Sequence, residues 1–452
     1  MDAPQTRRES LRAGLGWQPT VAVPDRAKEA TTQFLKMQFH RYYDRSKPTL
    51  PDRFGRREFG FMFWTAGIVQ RHLGFSKEEE LKSFLTSRTP AHAYYSSAYY
   101  EKPGAPTMEE KGWLGADLIF DLDADHLPGG KALSYPVMLE AVKLGIIKLW
   151  DRFLRLKLGF DEKKMRIVFS GGRGYHIHVF DDRVVSLGSH ERREIVDFIT
   201  AKGLDFKLIF RETPFDKTEF KGRVRVKTML KAPARSDPGW AGIIASGIDD
   251  FLGELENMRP EECLELLSSY PEMNEEKATS LYDNLFRVRV KAPNPIRGID
   301  RVREGNMEAL TDKNRDALEN IIVAMEQLPL DDRVAVSPEE IRKWDERRQR
   351  GETDEPVTSD IKRLIRMPSS LHGKTGLQVI PMSRDALDEF RPLRDAVPPA
   401  WTDEPVRVNL KNKISLEIRG EAFNLAPGVN DVPQYLAIFL AARGLATVVP
   451  EA

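Results

Sequence analysis

The chain has 452 residues, 41% of them hydrophobic and 31% charged, an ordinary balance for a globular protein of two or three domains. Lysine plus arginine and aspartate plus glutamate number 69 each, which excludes the global positive field of strongly cationic nucleic-acid-binding proteins. The only cysteine, Cys263, excludes an intrachain disulfide and a zinc site of several cysteines, and the short apolar runs predict a cytoplasmic, intracellular protein with no membrane partner.

Hydrophobic periodicity and turn residues predict an α/β core in the first part of the chain. Glycines at 171, 172 and 174 indicate a hairpin or tight loop between the last two strands of this part. The predicted elements are a helix over 25–43, a strand over 57–64, a strand over 113–123, a helix from about 135 to 158, and strands over 165–170 and 175–180.

The middle of the chain is charged and helix-prone, which predicts a largely helical insertion. Within it, Arg223-Val-Arg-Val-Lys227 recurs at 287–291, and we interpret this match as a coincidence because two short matches do not make a repeat. We therefore predict an α/β core with an inserted helix-rich subdomain. The predicted bounds are 1–187 for the N-terminal part of the core, 188–345 for the insertion and 346–452 for the C-terminal part.

The C-terminal part begins with a charged linker over 346–354. Its later segments alternate between helical and strand patterns, so they return the chain to the α/β core. The predicted elements are a helix over 357–366 capped by Thr358 or Ser359, a loop over 367–376, a strand over 377–381, strands within 406–418, and an apolar helix over 433–444.

Two carboxylates end the strand predicted over 113–123. Side chains alternate along a strand, so Asp121 and Asp123 share one face. Two like charges side by side need a cation, and carboxylate oxygens suit Mg²⁺ or Mn²⁺. The alternative is a strand that runs into an acidic loop, because Asp125 continues the acidic stretch.

The glycine loop has the components of a phosphate site. Its glycines let backbone N–H groups approach an anion, Ser170 offers a hydroxyl, Arg173 a bidentate fork and His176 a further donor. It lacks the Gly-Lys-Ser/Thr ending of a Walker loop. The alternative is a structural hairpin with Arg173 in solvent and His176 in the core. His176 and His178 share a face and could instead bind zinc, as in a phosphodiesterase, although the sequence shows no third ligand nearby.

A third cluster lies far downstream, where Asp354 precedes Arg366, His372 and Lys374. Alone it could be an ordinary polar turn. Together with the acid pair and the glycine loop it supplies what nucleotidyl transfer requires, namely carboxylates for two cations and basic groups for a triphosphate. Other local basic clusters that could contact nucleic acid are Arg53, Arg56 and Arg57, the segment 221–231, and Arg347, Arg348 and Arg350.

These motifs resemble, in their order, those of the catalytic small subunit of archaeal and eukaryotic DNA primases. The resemblance rests on Arg57-Glu-Phe-Gly-Phe, Phe120-Asp-Leu-Asp, the segment 170–176, and the segments that begin at Asp354 and Leu371. It implies a mixed-sheet catalytic core in which Asp121, Asp123 and Asp354 bind two Mg²⁺ or Mn²⁺ ions. It also implies a triphosphate-binding set made of Ser170, Arg173, His176, Arg366 and His372, with Arg57 and Lys374 as further members.

The resemblance further implies a heterodimer with a large primase subunit that carries an iron–sulfur cluster, a single-stranded DNA template, and nucleoside or deoxynucleoside triphosphates as substrates. The lone cysteine agrees with this division, since a four-cysteine cluster cannot lie in this chain. One departure is clear. Many relatives carry a zinc knob shortly after the acid pair, whereas the segment 125–131 contains His126 and no cysteine. Structural zinc is therefore not expected.

The leading hypothesis is thus a template-directed enzyme that makes short primers on single-stranded DNA. Two alternatives remain open: a repair or gap-filling polymerase of the same superfamily that only extends primers, and a non-catalytic DNA-binding scaffold subunit.

Overall fold

The computed structural model describes residues 26–64, 67–124, 134–204, 208–220, 223–270, 272–288, 296–324 and 351–450. The segment 125–131, where the zinc knob of relatives would lie, and the arginine cluster at 347–350 fall outside these residues. Within the described part of the chain, no helix combines the length and apolar composition that crossing a bilayer requires.

The strands, in chain order, are β1 (Phe59–Met62), β2 (Val69–Leu73), β3 (His92–Ser96), β4 (Ala98–Tyr100), β5 (Trp113–Ala116), β6 (Leu118–Asp123), β7 (Met165–Phe169), β8 (Gly174–Val179), β9 (Arg211–Phe220), β10 (Arg223–Lys231), β11 (Leu364–Arg366), β12 (Ile380–Met382), β13 (Pro405–Leu410), β14 (Ile414–Ile418), β15 (Glu421–Leu425), β16 (Gly428–Pro433) and β17 (Ala446–Val448).

The α-helices are α1 (Arg26–Arg45), α2 (Glu78–Arg88), α3 (Tyr135–Lys148), α4 (Asp182–Val185), α5 (Ser189–Thr200), α6 (Gly239–Glu256), α7 (Pro260–Ser268), α8 (Glu275–Phe286), α9 (Gly298–Arg303), α10 (Asp312–Ala324), α11 (Glu355–Ser359), α12 (Arg384–Glu389), α13 (Pro392–Asp395) and α14 (Gln434–Ala442). The helix predicted over 135–158 is confirmed, although its last turns, Leu149–Lys157, are a π-helix.

Two four-stranded sheets form the core. Sheet I has the order β11-β3-β1-β2 and sheet II the order β12-β7-β8-β6, and their strand pairs are antiparallel. One hydrophobic cluster joins both sheets to α1, α3 and α14, with Phe39, Phe61, Ile177 and Leu436 fully buried in it. The predicted α/β core is therefore confirmed.

The segment predicted as one strand over 113–123 is two strands in different sheets. Strand β5 pairs with β4, whereas β6 pairs with β8 in sheet II. The break falls at Asp117, whose side chain is buried and ion-paired with Arg57. Burying a carboxylate requires such a partner, so the pairing outweighs the local strand pattern.

The helix predicted over 357–366 is also wrong. Helix α11 ends at Ser359, and 364–366 instead form β11, the edge strand of sheet I, in which Arg366 pairs with Tyr94. The residue at the N-cap position is Asp354, not Thr358 or Ser359. Hydrogen bonding to β3 overrides the short helical periodicity, a tertiary effect that local pattern cannot reveal.

The insertion has a hydrophobic cluster of its own, built mainly by α6 to α10, with Leu252, Leu281 and Ile299 at its centre. It also contains the hairpin of β9 and β10, which the helical prediction missed. Helix α5 lies within the predicted insertion but contributes Ile199 to the core cluster. The Ile199 carbonyl accepts a hydrogen bond from the Gly351 N–H at 3.0 Å, so the two ends of the insertion lie side by side. The domain bounds at 187/188 and 345/346 stay a prediction.

The structure does not bring Arg57 to a ligand site. Its guanidinium is completely buried and bonds Asp117 at 2.6 Å, the Ser96 and Ser97 carbonyls at 2.8 and 2.7 Å, and the Tyr99 hydroxyl at 3.0 Å. Its donors are therefore used inside the protein, where they join the start of β1 to the ends of β3 and β5. The resemblance implied a nucleotide-binding role for Arg57, and this burial contradicts it, because the guanidinium donates to groups inside the protein.

We expect Arg57→Ala to lower the free energy of unfolding by roughly 3–5 kcal/mol, because it leaves the Asp117 carboxylate buried and unpaired. Arg407→Ala is the matched control, since Arg407 pairs with Asp431 on the surface, and should cost less than about 1 kcal/mol. Urea unfolding of both variants measures the difference. Equal losses for the two variants would contradict the structural role of Arg57.

Candidate active site

The acid pair lies at the edge of sheet II. Asp121 and Asp123 lie on the same face of β6 and are partly buried, with side chains 19% and 34% exposed. The Asp121 carbonyl accepts hydrogen bonds from the Asp354 N–H at 2.7 Å and from the Thr353 hydroxyl at 3.2 Å. The start of α11 therefore docks on the open edge of β6, and this contact brings the third predicted carboxylate to the pair.

The three carboxylates repel one another. Burial, and then the charges of Asp123 and Asp354, raise the pKa of Asp121 to about 7, while Arg363 and Arg366 act in the opposite direction. One oxygen of Asp123, Oδ1, is buried with no hydrogen-bond partner.

A divalent cation fits this pair of carboxylates, because it would neutralise the repulsion and coordinate the Asp123 Oδ1, whose charged neighbour, the Arg173 Nε, lies 3.7 Å away, beyond hydrogen-bond distance. In the described part of the chain, no three His, Cys, Asp or Glu side chains form a preassembled ligand set. The fit therefore rests on the pair, with Asp354 beside it.

His176 lies directly across the ladder from Asp121, with 3.3 Å between its Nε2 and the Asp121 Oδ1. Burial, then the charges of Arg366 and Arg363, lower the pKa of His176 to about 3, so the ring is neutral at physiological pH. His178 lies deeper and contacts the Tyr95 hydroxyl at 3.2 Å. The two histidines do not belong to any set of three candidate metal ligands among the described residues, which gives the zinc alternative no support.

The glycine loop is held rigidly. The Ser170 hydroxyl oxygen accepts hydrogen bonds from the N–H groups of Gly172 and Gly174 at 3.2 and 3.3 Å. The Tyr135 hydroxyl donates to the Gly172 carbonyl at 2.6 Å. Gly171 has a φ of +74°, and a Cβ there would lie 2.8 Å from the Cβ of His372. The loop is thus both left-handed at Gly171 and tightly packed against the 367–376 loop.

A basic wall lines the cavity with the acids, and it consists of Arg366 on strand β11 of sheet I and of His372 and Lys374 in the loop that follows. Arg366 stacks over the Tyr94 ring at 4.7 Å from the ring centroid and contacts Nδ1 of His92. His372 packs edge-on against His92 with ring centroids 4.9 Å apart. Burial and the nearby cations hold the pKa of His92 at about 3 and that of His372 well below its ordinary value. Both rings are therefore neutral hydrogen-bonding groups.

The acid pair, the glycine loop, Arg366 and His372 line one cavity of about 790 Å³ between the two sheets. Asp354 lies beside the cavity through its backbone bond to Asp121, and Arg57 does not line it. The other eight predicted site residues line the cavity, namely Asp121, Asp123, Ser170, Arg173, His176, Arg366, His372 and Lys374.

The cavity also contains residues that the sequence analysis missed. Arg363, Arg443 and Tyr94 line it, and His92 supports Arg366 from behind. No short motif marks any of them. The one signal in the sequence of β3 is the spacing of His92 and Tyr94, which lie two positions apart and therefore share a face of the strand.

Comparison with known proteins decides the family. A family model described as DNA primase small subunit matches residues 120–384. The chain belongs to the DNA primase small subunit family. Among its relatives are proteins named DNA primase small subunit PriS from Methanothrix thermoacetophila, 40% identical over 92% of this chain and 99% of the relative, and from Methanocella arvoryzae, 39% identical over 93% and 100%. The PriS protein of Halorubrum lacusprofundi is 37% identical over 94% of this chain and 99% of its own length.

In this primase family member, Asp121→Asn should stabilise the metal-free protein in a pH-dependent way. The folded state binds the Asp121 proton more tightly than the unfolded chain, because its pKa is about 7 instead of 3.8. Stability is therefore lost as the pH rises from about 4 to 7. The variant avoids this loss and should gain roughly 1–3 kcal/mol over wild type at pH 8, and little at pH 4.

Urea unfolding in a chelator at both pH values measures this gain, with the exposed Asp431→Asn as control. Added Mg²⁺ should raise the melting temperature of wild type more than that of Asp121→Asn. A pH-independent difference between wild type and Asp121→Asn would contradict the crowding of the three acids.

Gly171→Ala should disrupt the glycine loop. The new methyl group would meet the Cβ of His372 at 2.8 Å and the Leu377 carbonyl at 3.1 Å. Gly203 is a matched control, because its φ is +73° and a Cβ there meets nothing within 4 Å. The left-handed backbone should lower the free energy of unfolding of both variants by about 1 kcal/mol, but only Gly171→Ala should also weaken binding of a nucleoside triphosphate. Calorimetric titration with ATP separates the two, and unchanged affinity in Gly171→Ala would show that the loop is not a nucleotide site.

Proposed function

We propose that this chain is the catalytic small subunit of a DNA primase, a template-directed nucleotidyltransferase that joins nucleotides into short primers on single-stranded DNA. The observation that carries the proposal is the cavity of about 790 Å³ in which an edge strand presents two acids to a glycine loop and a basic wall. Relatives over nearly the whole chain carry the name DNA primase small subunit, which supports the same activity.

The metal site would be formed by Asp121, Asp123 and Asp354. Two Mg²⁺ or Mn²⁺ ions held there would lower the pKa of an attacking 3′-hydroxyl and neutralise charge on the leaving pyrophosphate. The chain's own contribution is to fix the carboxylates. The β6 ladder orients the pair, and the hydrogen bond from Asp354 N–H to the Asp121 carbonyl fixes the approach of the third.

The triphosphate would lie between the glycine loop and the basic wall. Arg366 and Arg173 offer charged forks, Lys374 a further cation, and His176 and His372 neutral hydrogen bonds. Since the pKa values of both histidines lie far below 7, their part in binding needs no change of protonation at physiological pH. Arg57 has no place in this set, because its guanidinium is used inside the core.

The name small subunit in the relatives also supports a large-subunit partner and action on DNA. An iron–sulfur cluster would belong to that partner, because the single cysteine of this chain, Cys263, is buried in the insertion and cannot supply four ligands. Structural zinc is again not expected, since no cysteine lies in the 125–131 segment.

Removing the charge of one acid of the pair, or that of the third acid, Asp354, should abolish primer synthesis. We expect Asp121→Asn and Asp354→Asn to lower the rate by at least about a hundredfold, because cation-mediated charge stabilisation contributes several kcal/mol. The control Asp431→Asn, on the surface of β16, should retain the wild-type rate. The assay supplies unprimed single-stranded DNA, nucleotides and Mg²⁺ or Mn²⁺, with and without the large subunit.

Synthesis that survives Asp121→Asn would overturn the metal assignment. Product formed only on primed template would favour the gap-filling polymerase, and no product under any condition would favour the scaffold role.

A further inference from the structure

The C-terminal helix reaches the cavity through its last residues. Ala442, Arg443 and Gly444 line it, although they lie far outside the segment 120–384 that the family model matches. Helix α14 is buried along almost all of its length. It ends with Gly444 at a φ of +70°, and the Leu445 N–H donates to the Leu440 carbonyl at 2.9 Å. Such a glycine end fixes the last turn, so Arg443 extends from a rigid base.

One side chain connects Arg443 to the glycine loop. The guanidinium of Arg443 lies 4.2 Å from the centroid of the Tyr135 ring. The hydroxyl of that tyrosine donates to the Gly172 carbonyl at 2.6 Å. Burial raises the pKa of Tyr135 to about 12, with Arg443 and Arg173 acting in the opposite direction and Asp123 in the same one. Arg443 is therefore joined to the loop through one tyrosine, and it lines the same cavity as Arg173 and the acid pair.

The charge of Arg443 has no acidic partner in the described part of the chain, where it forms no ion pair. A cation in the last turn of a helix is favoured by the helix dipole, so its position alone does not indicate a ligand. Its presence in the cavity does indicate a ligand, because the guanidinium is half-buried there and the Tyr135 ring cannot satisfy all of its N–H donors.

We propose that Arg443 is a further nucleotide-binding residue, whose guanidinium donates hydrogen bonds to the phosphates of the bound triphosphate next to the glycine loop. The inference deepens the proposed function and rests on it. It gives the C-terminal segment a part in substrate binding, and it assigns Tyr135 as the residue that positions both Arg443 and the loop.

The test measures binding by the full chain in Mg²⁺ of three probes: ATP, inorganic tripolyphosphate and a single-stranded oligonucleotide. Arg443→Ala should weaken ATP and tripolyphosphate about tenfold, because a charge-assisted hydrogen bond is lost, and leave the oligonucleotide unchanged. Arg443→Lys should restore part of the affinity, since it keeps the charge and loses the fork. Arg407→Ala, on the exposed face of β13, is the matched control and should bind all three probes normally.

Unchanged ATP affinity in Arg443→Ala would overturn the inference, because Arg443 would then only interact with the dipole at the end of its helix. Loss of oligonucleotide binding alone would also overturn it, because the phosphate would then belong to the DNA strand. A loss for ATP without one for tripolyphosphate would assign the contact to the base or sugar instead. Thermal unfolding of each variant identifies any that fail to fold, and Arg443→Lys then carries the test.

Primer synthesis separates this inference from the proposed function. If wild type makes no primer but its ATP affinity depends on Arg443, the phosphate contact stands and the primase proposal fails. If primer synthesis is robust and Arg443→Ala shows a normal KM for nucleotides, the primase proposal stands and the Arg443 contact fails.

Discussion

The candidate active site depends on keeping like charges together at the edge of one β-sheet. Strand β6 holds Asp121 and Asp123 on one face, and the backbone of Asp354 completes the edge by bonding the Asp121 carbonyl. Buried carboxylates repel strongly and lose hydration, so this arrangement opposes folding unless cations offset it. The surrounding structure therefore has to be rigid, and the ladder to β8 and the buried cluster beneath sheet II supply that rigidity.

Burial and the repulsion between like charges also explain why the imidazoles around the cavity are neutral. His176, His92 and His372 lie among Arg366, Arg363 and Lys374, where burial and nearby cations both disfavour protonation. Positive charge in the cavity is thus concentrated on arginine and lysine side chains, while the histidines shape the site as hydrogen-bonding surfaces. A polyanion would meet fixed cations on one side and cation-seeking carboxylates on the other.

How much of this could be predicted from the sequence depends on how local each determinant is. The shared face of Asp121 and Asp123 follows from strand alternation, and the glycine loop follows from its own residues, so both were predictable. The burial of Arg57 was not predictable, because its partner Asp117 lies 60 residues away and only the fold brings them together. The division of 357–366 into α11 and β11 likewise depends on pairing with β3, and Arg443 reaches the cavity only through the packing of α14.

The hydrogen bond between Ile199 and Gly351 has a consequence for how this architecture can vary. Gly351 fits there because a side chain would meet Ile199 and Phe153 within about 3 Å, so the chain leaves and re-enters the core at one closely packed point. Between those residues the chain forms a separate hydrophobic cluster. Its length and content can therefore diverge among descendants of one ancestor without shifting the register between Asp121 and Asp354, since closing a longer loop costs little extra entropy.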